Sequence, residues 1–195
     1  MTANCIKRSA LTHFVEKGYE GTSLADIAKE VGIKKQSIYS HFKHKDDLFL
    51  QVMNQVIQEE TYFLNNFFKQ HEDQTLHDTL YSLILRYKER YLEAQQGNIK
   101  FLLRMAFMPP THLQEVVIPT FNEYYTKLEN SLKRLFMRAE GLYVNADEGI
   151  ISFLNFLDGI FVELIYSNVD KFNLRLNVSW GIYWRGIADV ELQLN

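Results

Sequence analysis

Three prolines and nine glycines are all that 195 residues offer as chain-breakers, and this scarcity constrains the fold most. A β-sandwich or barrel needs a turn about every 8–12 residues and draws on Gly and Pro to make it. Here apolar residues recur instead at three- and four-residue spacing, the period of a helix buried along one face. With 47% hydrophobic and 23% charged residues the chain has enough apolar surface for a core, which excludes a disordered tail. Cys5 is the single cysteine, so no internal disulfide forms and a reducing compartment is expected. No signal peptide and no apolar run long enough to span a bilayer are read, so the expectation is a cytoplasmic protein with no membrane partner. The fold class expected is all-α, with about nine helices.

The helical pattern opens with Ala3–Lys17, where Ile6, Ala10, Leu11, Phe14 and Val15 share a face and Gly18 is a natural stop. Thr22 or Ser23 can cap the next helix, and Ser23 with Asp26 has capping-box spacing. After Lys43-His44-Lys45 a long amphipathic helix runs to about Gln70. Further helices are expected at about Leu76–Ala94, Ile99–Met108, Leu113–Ala139, Ala146–Ser167 and Lys171–Leu192. Breaks fall at Gln96-Gly97-Asn98, Pro109-Pro110-Thr111, Gly141 and Asn168, with Pro119 starting or kinking its helix. Asn145 and Glu148 form a second capping pair.

Between residues 24 and 42 two short helices are joined by two or three residues, so they must cross steeply. Ala28, Gly32 and Ile38 stand at relative positions 1, 5 and 11 and supply clearance, turn and core plug for a helix-turn-helix. The run Thr22-Ser23-Leu24-Ala25-Asp26-Ile27-Ala28-Lys29-Glu30-Val31-Gly32-Ile33, followed by Ser37-Ile38-Tyr39-Ser40-His41-Phe42-Lys43-His44-Lys45-Asp46-Asp47-Leu48, closely resembles the DNA-binding domain of TetR-family transcriptional regulators. The resemblance covers roughly the first 50 residues. It implies a dimer that usually represses transcription and usually releases DNA when a small ligand enters its C-terminal domain.

The charge pattern agrees. Residues 1–48 carry eight Lys/Arg against six acids, a net +2, while the remainder carries −5; a basic module on an acidic body fits nucleic acid. The second helix of such a motif enters the major groove with its N-terminal residues on base edges. Lys34, Lys35 and Gln36 are therefore the expected base contacts, since lysine donates to guanine and glutamine pairs with adenine. Thr22, Ser23, Ser37, Tyr39, His41 and Lys45 are the expected backbone contacts, those from Tyr39 onward by resemblance to the family. His44 reads equally as a linker residue or a phosphate contact.

No catalytic or metal-binding constellation emerges. His41 and His44 lack carboxylate or cysteine partners placed for zinc, and no nucleophile elbow, phosphate loop or dinucleotide fingerprint is present, so no cofactor, metal or enzyme activity is expected. A ligand pocket, mostly apolar with a few polar groups, is expected from Tyr87, Tyr91, Phe101, Arg104, Met105, Met108, Phe121, Tyr125, Asn155 and Asp158, with Arg104 and Asp158 able to form a buried ion pair instead. The last two helices are so apolar that a second copy of the chain is expected to cover them. Ile151, Val178, Ile182 and Val190 belong to that surplus, and Phe153, Leu157, Gly159, Ile160, Trp180, Tyr183, Trp184 and Ile187 are expected in the interface, with Gly159, Gly181 and Gly186 marking a close helix approach.

The expectation is a regulator in which residues 1–48 bind a palindromic double-stranded operator and residues 49–195 dimerise and sense a small apolar or aromatic inducer. Ligand binding would shift the helix Asp46–Gln70 and change the separation of two reading heads. The alternative is an all-α protein-interaction module that no longer reads DNA.

Overall fold

The computed structural model describes residues 3–93 and 97–188. These form nine α-helices and no strand among the described residues: α1 Ala3–Gly21, α2 Leu24–Val31, α3 Lys35–Ile38, α4 Lys45–Gln70, α5 Leu76–Leu92, α6 Asn98–Phe107, α7 Gln114–Arg138, α8 Ala146–Tyr166 and α9 Val169–Ile187, with a 3₁₀ turn at Thr111–Leu113. The all-α expectation holds. The helix expected at Lys171–Leu192 begins two residues earlier, because the Asn168 side chain caps it by accepting from the Lys171 N–H at 2.9 Å. It ends at Ile187, short of the expected Leu192, because Ala188 leaves the helix in an extended conformation; Val190 and the Gln96 break lie outside the described residues.

Two compact units divide the chain: Met1–Phe63 with Glu93–Tyr125, and Leu64–Leu92 with Thr126–Asn195. In the first, α1 packs on α2 and α6, and α2 on α3. Its centre is aromatic. Phe49 meets Phe14 edge-on at 5.0 Å, Tyr19 edge-on at 5.2 Å and Phe101 at 5.5 Å between ring centres. Such pairs add about 0.5–1.5 kcal/mol each beyond the area they bury. Helix α1 breaks at Gly18, whose φ of 72° suits glycine. A Cβ there would also lie 2.6 Å from Arg104 Nη2, so conformation and space both require glycine.

In the second unit α8 packs on α5 and α9. The expected pair at its start is a complete capping box: Asn145 accepts from the Glu148 N–H at 3.0 Å and Glu148 accepts from the Asn145 N–H at 2.9 Å. Tyr87 meets Phe161 edge-on at 5.4 Å, and Trp180 Nε1 donates to His77 Nε2 at 2.9 Å. The Tyr143 N–H donates to the Ile187 carbonyl at 2.9 Å, tying down the end of α9.

Three expectations are corrected here. Pro119 does not start a helix; it lies inside α7, as its sixth residue. Helix α8 is in fact long and apolar enough to cross a membrane, with mean hydropathy 1.6 over 18 residues, but half of that stretch is buried inside the protein as a core helix would be. The interior glycines do not mark close approaches within the chain: a Cβ at Gly159 or Gly186 would meet nothing within 4 Å, and at Gly181 only the Arg185 side chain.

Gly149 is the glycine of the second unit that packing does require. A Cβ there would run into the buried Phe136 ring. Gly149→Ala should therefore lower stability by about 1–3 kcal/mol despite alanine's better helix propensity, measured by chemical denaturation. A smaller partner, as in Gly149→Ala with Phe136→Leu, should recover part of the loss.

Candidate nucleic-acid interface

Helix α2 is fixed at both ends. Ser23 accepts from the Asp26 N–H at 3.1 Å, and its hydroxyl donates to the Asp26 carboxylate at 2.8 Å. The shorter acid thus meets the capping hydroxyl rather than reaching back to the Ser23 backbone, as Glu would in a full capping box. At the other end Gly32 adopts φ 76°, with Ile33 N–H on the Ala28 carbonyl and Gly32 N–H on that of Lys29. This is a Schellman motif. It turns the chain straight into α3, where Ile38 is wholly buried. The Ala28–Gly32–Ile38 triad therefore does what its spacing implied.

Helix α3 is only four residues long. Lys34, Lys35, Gln36 and Ser37 open it and are all exposed. The side chains of Lys34, Lys35 and Gln36 bond no other described residue. Tyr39, half exposed, and His41 follow on the turn after the helix. The chain here presents two cations and an amide to solvent from a rigidly anchored backbone. His44 caps α4: its Nδ1 accepts from the Asp47 N–H at 3.2 Å, while Asp47 accepts from the Lys43 N–H at 2.8 Å.

Two expected backbone contacts have other work. Thr22 is buried and its hydroxyl donates to the Gly18 carbonyl at 2.7 Å. Lys45 Nζ donates to the carbonyls of Tyr19 at 2.8 Å and Thr22 at 3.0 Å and lies 4.0 Å from the centre of the Tyr19 ring. Both residues close the end of α1 instead of pointing a polar group outward. The neighbouring Asp46 accepts a short hydrogen bond from the Tyr19 hydroxyl and faces His112 Nε2 at 3.8 Å, and His112 also lies against Tyr19, 4.8 Å between ring centres. Sequence reasoning missed this cluster. Its members are far apart in the chain, and no local spacing announces it.

The expected pocket residues scatter. Phe101 and Met105 are buried in the first unit, Arg104, Phe121 and Tyr125 are half-buried there, and Met108 is exposed. In the second unit Tyr87 is buried, Tyr91 half-buried, and Asn155 and Asp158 are exposed. Of the residues read as the dimer surface, Phe153, Leu157, Ile160, Trp180, Trp184 and Ile187 are buried within the chain itself. Tyr183 is half-buried, its hydroxyl pushed up to about 12 by burial, and Gly159 is exposed. The exposed apolar residues of these helices are Ile151, Val178 and Ile182 from the apolar surplus, with Tyr166 and Leu174. Among the described residues no group of His, Cys, Asp and Glu is placed to hold a metal.

The sequence model described as bacterial regulatory proteins, tetR family, matches residues 6–52, the segment that contains this interface. Over this segment the chain is similar to the TetR family. It is 30% identical over 115 residues to the biofilm operon icaADBC negative transcriptional regulator IcaR of Staphylococcus epidermidis, a stretch covering 55% of this chain and 59% of that relative. The fold resembles a TetR-family regulator from Agrobacterium tumefaciens, with TM-score 0.75 at 20% identity over 96% of this chain and 97% of the other. It also resembles a protein from Saccharomonospora viridis solved with choline, with TM-score 0.77 at 16% identity over the same shares of the two chains.

The cluster at the end of α1 has a pH signature. The hydrogen bond from Tyr19 holds Asp46 below its ordinary 3.8, and burial with the Asp46 contact raises Tyr19 above its ordinary 10.0. The Asp46 contribution is present above the ordinary carboxylate range and is lost as pH falls through its depressed value; the Tyr19 contribution is full below pH 10 and is lost as pH rises. Tyr19→Phe should return Asp46 toward its ordinary value in a carboxyl NMR titration and flatten the alkaline side of the stability profile.

Proposed function

We propose that this chain is a homodimeric, DNA-binding transcriptional repressor of the cytoplasm, with residues 1–48 reading a palindromic operator and residues 49–195 providing dimerisation and ligand sensing. The observation that carries the reading is α3 itself. Lys34, Lys35 and Gln36 are exposed and uncommitted on a helix whose anchor, Ile38, is wholly buried. Lysine donors suit guanine O6 and N7, and a glutamine amide suits adenine N6 and N7. Ser23, Ser37, Tyr39 and His41 flank them as contacts to the sugar-phosphate backbone, setting register. Thr22 and Lys45 serve the interface indirectly, by holding α1 against the start of α4.

The repressor assignment draws support from IcaR, a negative regulator, and small-molecule sensing from the choline complex of the S. viridis protein. The chain itself performs no catalysis in this reading. The dimer is supported by two exposed faces. On α9, Leu174, Val178 and Ile182 recur every four residues and lead to Gly186; on α8, Ile151, Asn155 and Gly159 do the same. The space above Gly159 and Gly186 is open and admits the backbone of a second copy. Ligand binding acts through α4, the helix that follows the reading head, by changing the separation of the two heads in the dimer.

Selection from random duplexes with the purified protein should return a sequence with two related half-sites. Against single-base variants of it, Gln36→Ala should cost about 1–3 kcal/mol and relax one base position in each half-site, whereas Tyr39→Phe should weaken all sequences alike. Salt-independent binding, or no duplex binding at all, would instead favour a protein-interaction module. The paired change Val178→Asp with Ile182→Asp should yield the 23.0 kDa monomer in sedimentation equilibrium, where the unaltered protein sediments at twice that mass.

A further inference from the structure

The first compact unit holds a cavity of about 230 Å³ between the end of α1, helix α6 and the segment 109–111. Its volume is below the ~300–1,000 Å³ of sites for drug-sized molecules, so its occupant is small. One side is apolar, made by Met105, Met108, Pro109 and Pro110. Methionine there gives a surface that adapts to flat or irregular apolar bodies. The other side is cationic. Lys17 and Arg104 lie on it, and among the described residues neither has a carboxylate partner.

Arg104 is the better placed of the two. Its Nη1 donates to the Val15 carbonyl at 3.0 Å, and the guanidinium fills the space that a side chain at Gly18 would take. That fixes the group before any ligand arrives and leaves its other N–H groups without an acceptor among the described residues. A pre-oriented guanidinium suits a planar, two-oxygen anion far better than a spherical one. Glu20 also lines the cavity, but it is exposed and is outnumbered by the two cations.

We propose that this cavity binds a small carboxylate with a compact apolar body, of the size of a benzoate or a short branched acid. The carboxylate pairs with Arg104 and Lys17, and the body lies on Met105, Met108 and the two prolines. The site adjoins Gly18 and Tyr19, and Tyr19 is the residue on which Lys45, Asp46 and His112 converge. Occupancy therefore bears on the contact that holds α1 to α4 in the reading head. The ligand site stands on the geometry of the cavity alone; its effect on DNA rests on the function proposed above.

The test uses the full chain labelled at its methionine methyl groups, with benzoate as probe and neutral benzamide as control. Benzoate should shift the Met105 and Met108 methyls saturably and leave Met53 and Met137 in place. Lys17→Gln, at an exposed position, should weaken binding about two- to fivefold, and Arg104→Lys, which keeps the charge but not the fork, by about tenfold or more. Glu20→Gln should tighten it. Absence of saturable shifts, equal shifts with benzamide, or unchanged affinity in both Lys17→Gln and Arg104→Lys would overturn the site. In a second arm, benzoate is added to the protein on its selected operator. A change in DNA affinity whose midpoint moves to higher benzoate concentration in Lys17→Gln, in step with the weaker binding, supports the regulatory role. Binding with unaltered DNA affinity refutes that role and leaves the site, whereas failure of the chain to bind any duplex refutes the proposed function and leaves the methyl-shift result standing.

Discussion

The ammonium group of Lys45 satisfies two carbonyls at the end of α1 while lying on the face of Tyr19. Helix ends leave carbonyl groups without partners, and a cation placed there meets both their hydrogen-bonding need and the negative end of the helix dipole. One residue further on, Asp46 accepts from the Tyr19 hydroxyl. Successive residues at the start of α4 thus grip the same tyrosine from its ring and from its hydroxyl. The ring also forms part of the aromatic core around Phe49, so polar closure and apolar packing meet in one side chain. The orientation of α1 against α4, and with it the platform that carries α2 and α3, depends on this junction.

A four-residue helix cannot hold itself together in water, since nucleation costs more than so few bonds return. Helix α3 persists because its surroundings hold it. Gly32 ends α2 in a left-handed turn, and Ile38 plugs the core behind it. His44 and Asp47 cap the helix that comes next. The polar residues of α3 contribute nothing to that anchoring, which leaves them free for a partner.

In the second unit, apolar content and burial part company. Trp180 and Trp184 are buried against their own chain, where the indole N–H of Trp180 finds His77. Val178 and Ile182, just as apolar by composition, lie in solvent. The residues that looked most like an interface are core, and those left over are smaller and spaced every four positions.

Much of this was legible in the sequence. Helix number and most boundaries follow from the 3.6-residue period and the placement of few breakers, and the helix-turn-helix follows from Ala28, Gly32 and Ile38, because local backbone geometry admits little else there. The Asn145–Glu148 capping box is equally local. Tertiary structure alone decided what Thr22 and Lys45 do, because a hydroxyl or an ammonium reads the same whether it faces a phosphate or a carbonyl of its own chain. It alone decided which faces of α8 and α9 are covered, because periodicity reports that a helix is apolar without reporting what lies against it. It also brought Arg104 onto Gly18 and His112 onto Tyr19, contacts between residues more than eighty positions apart, which arise only when the chain has closed around its aromatic core.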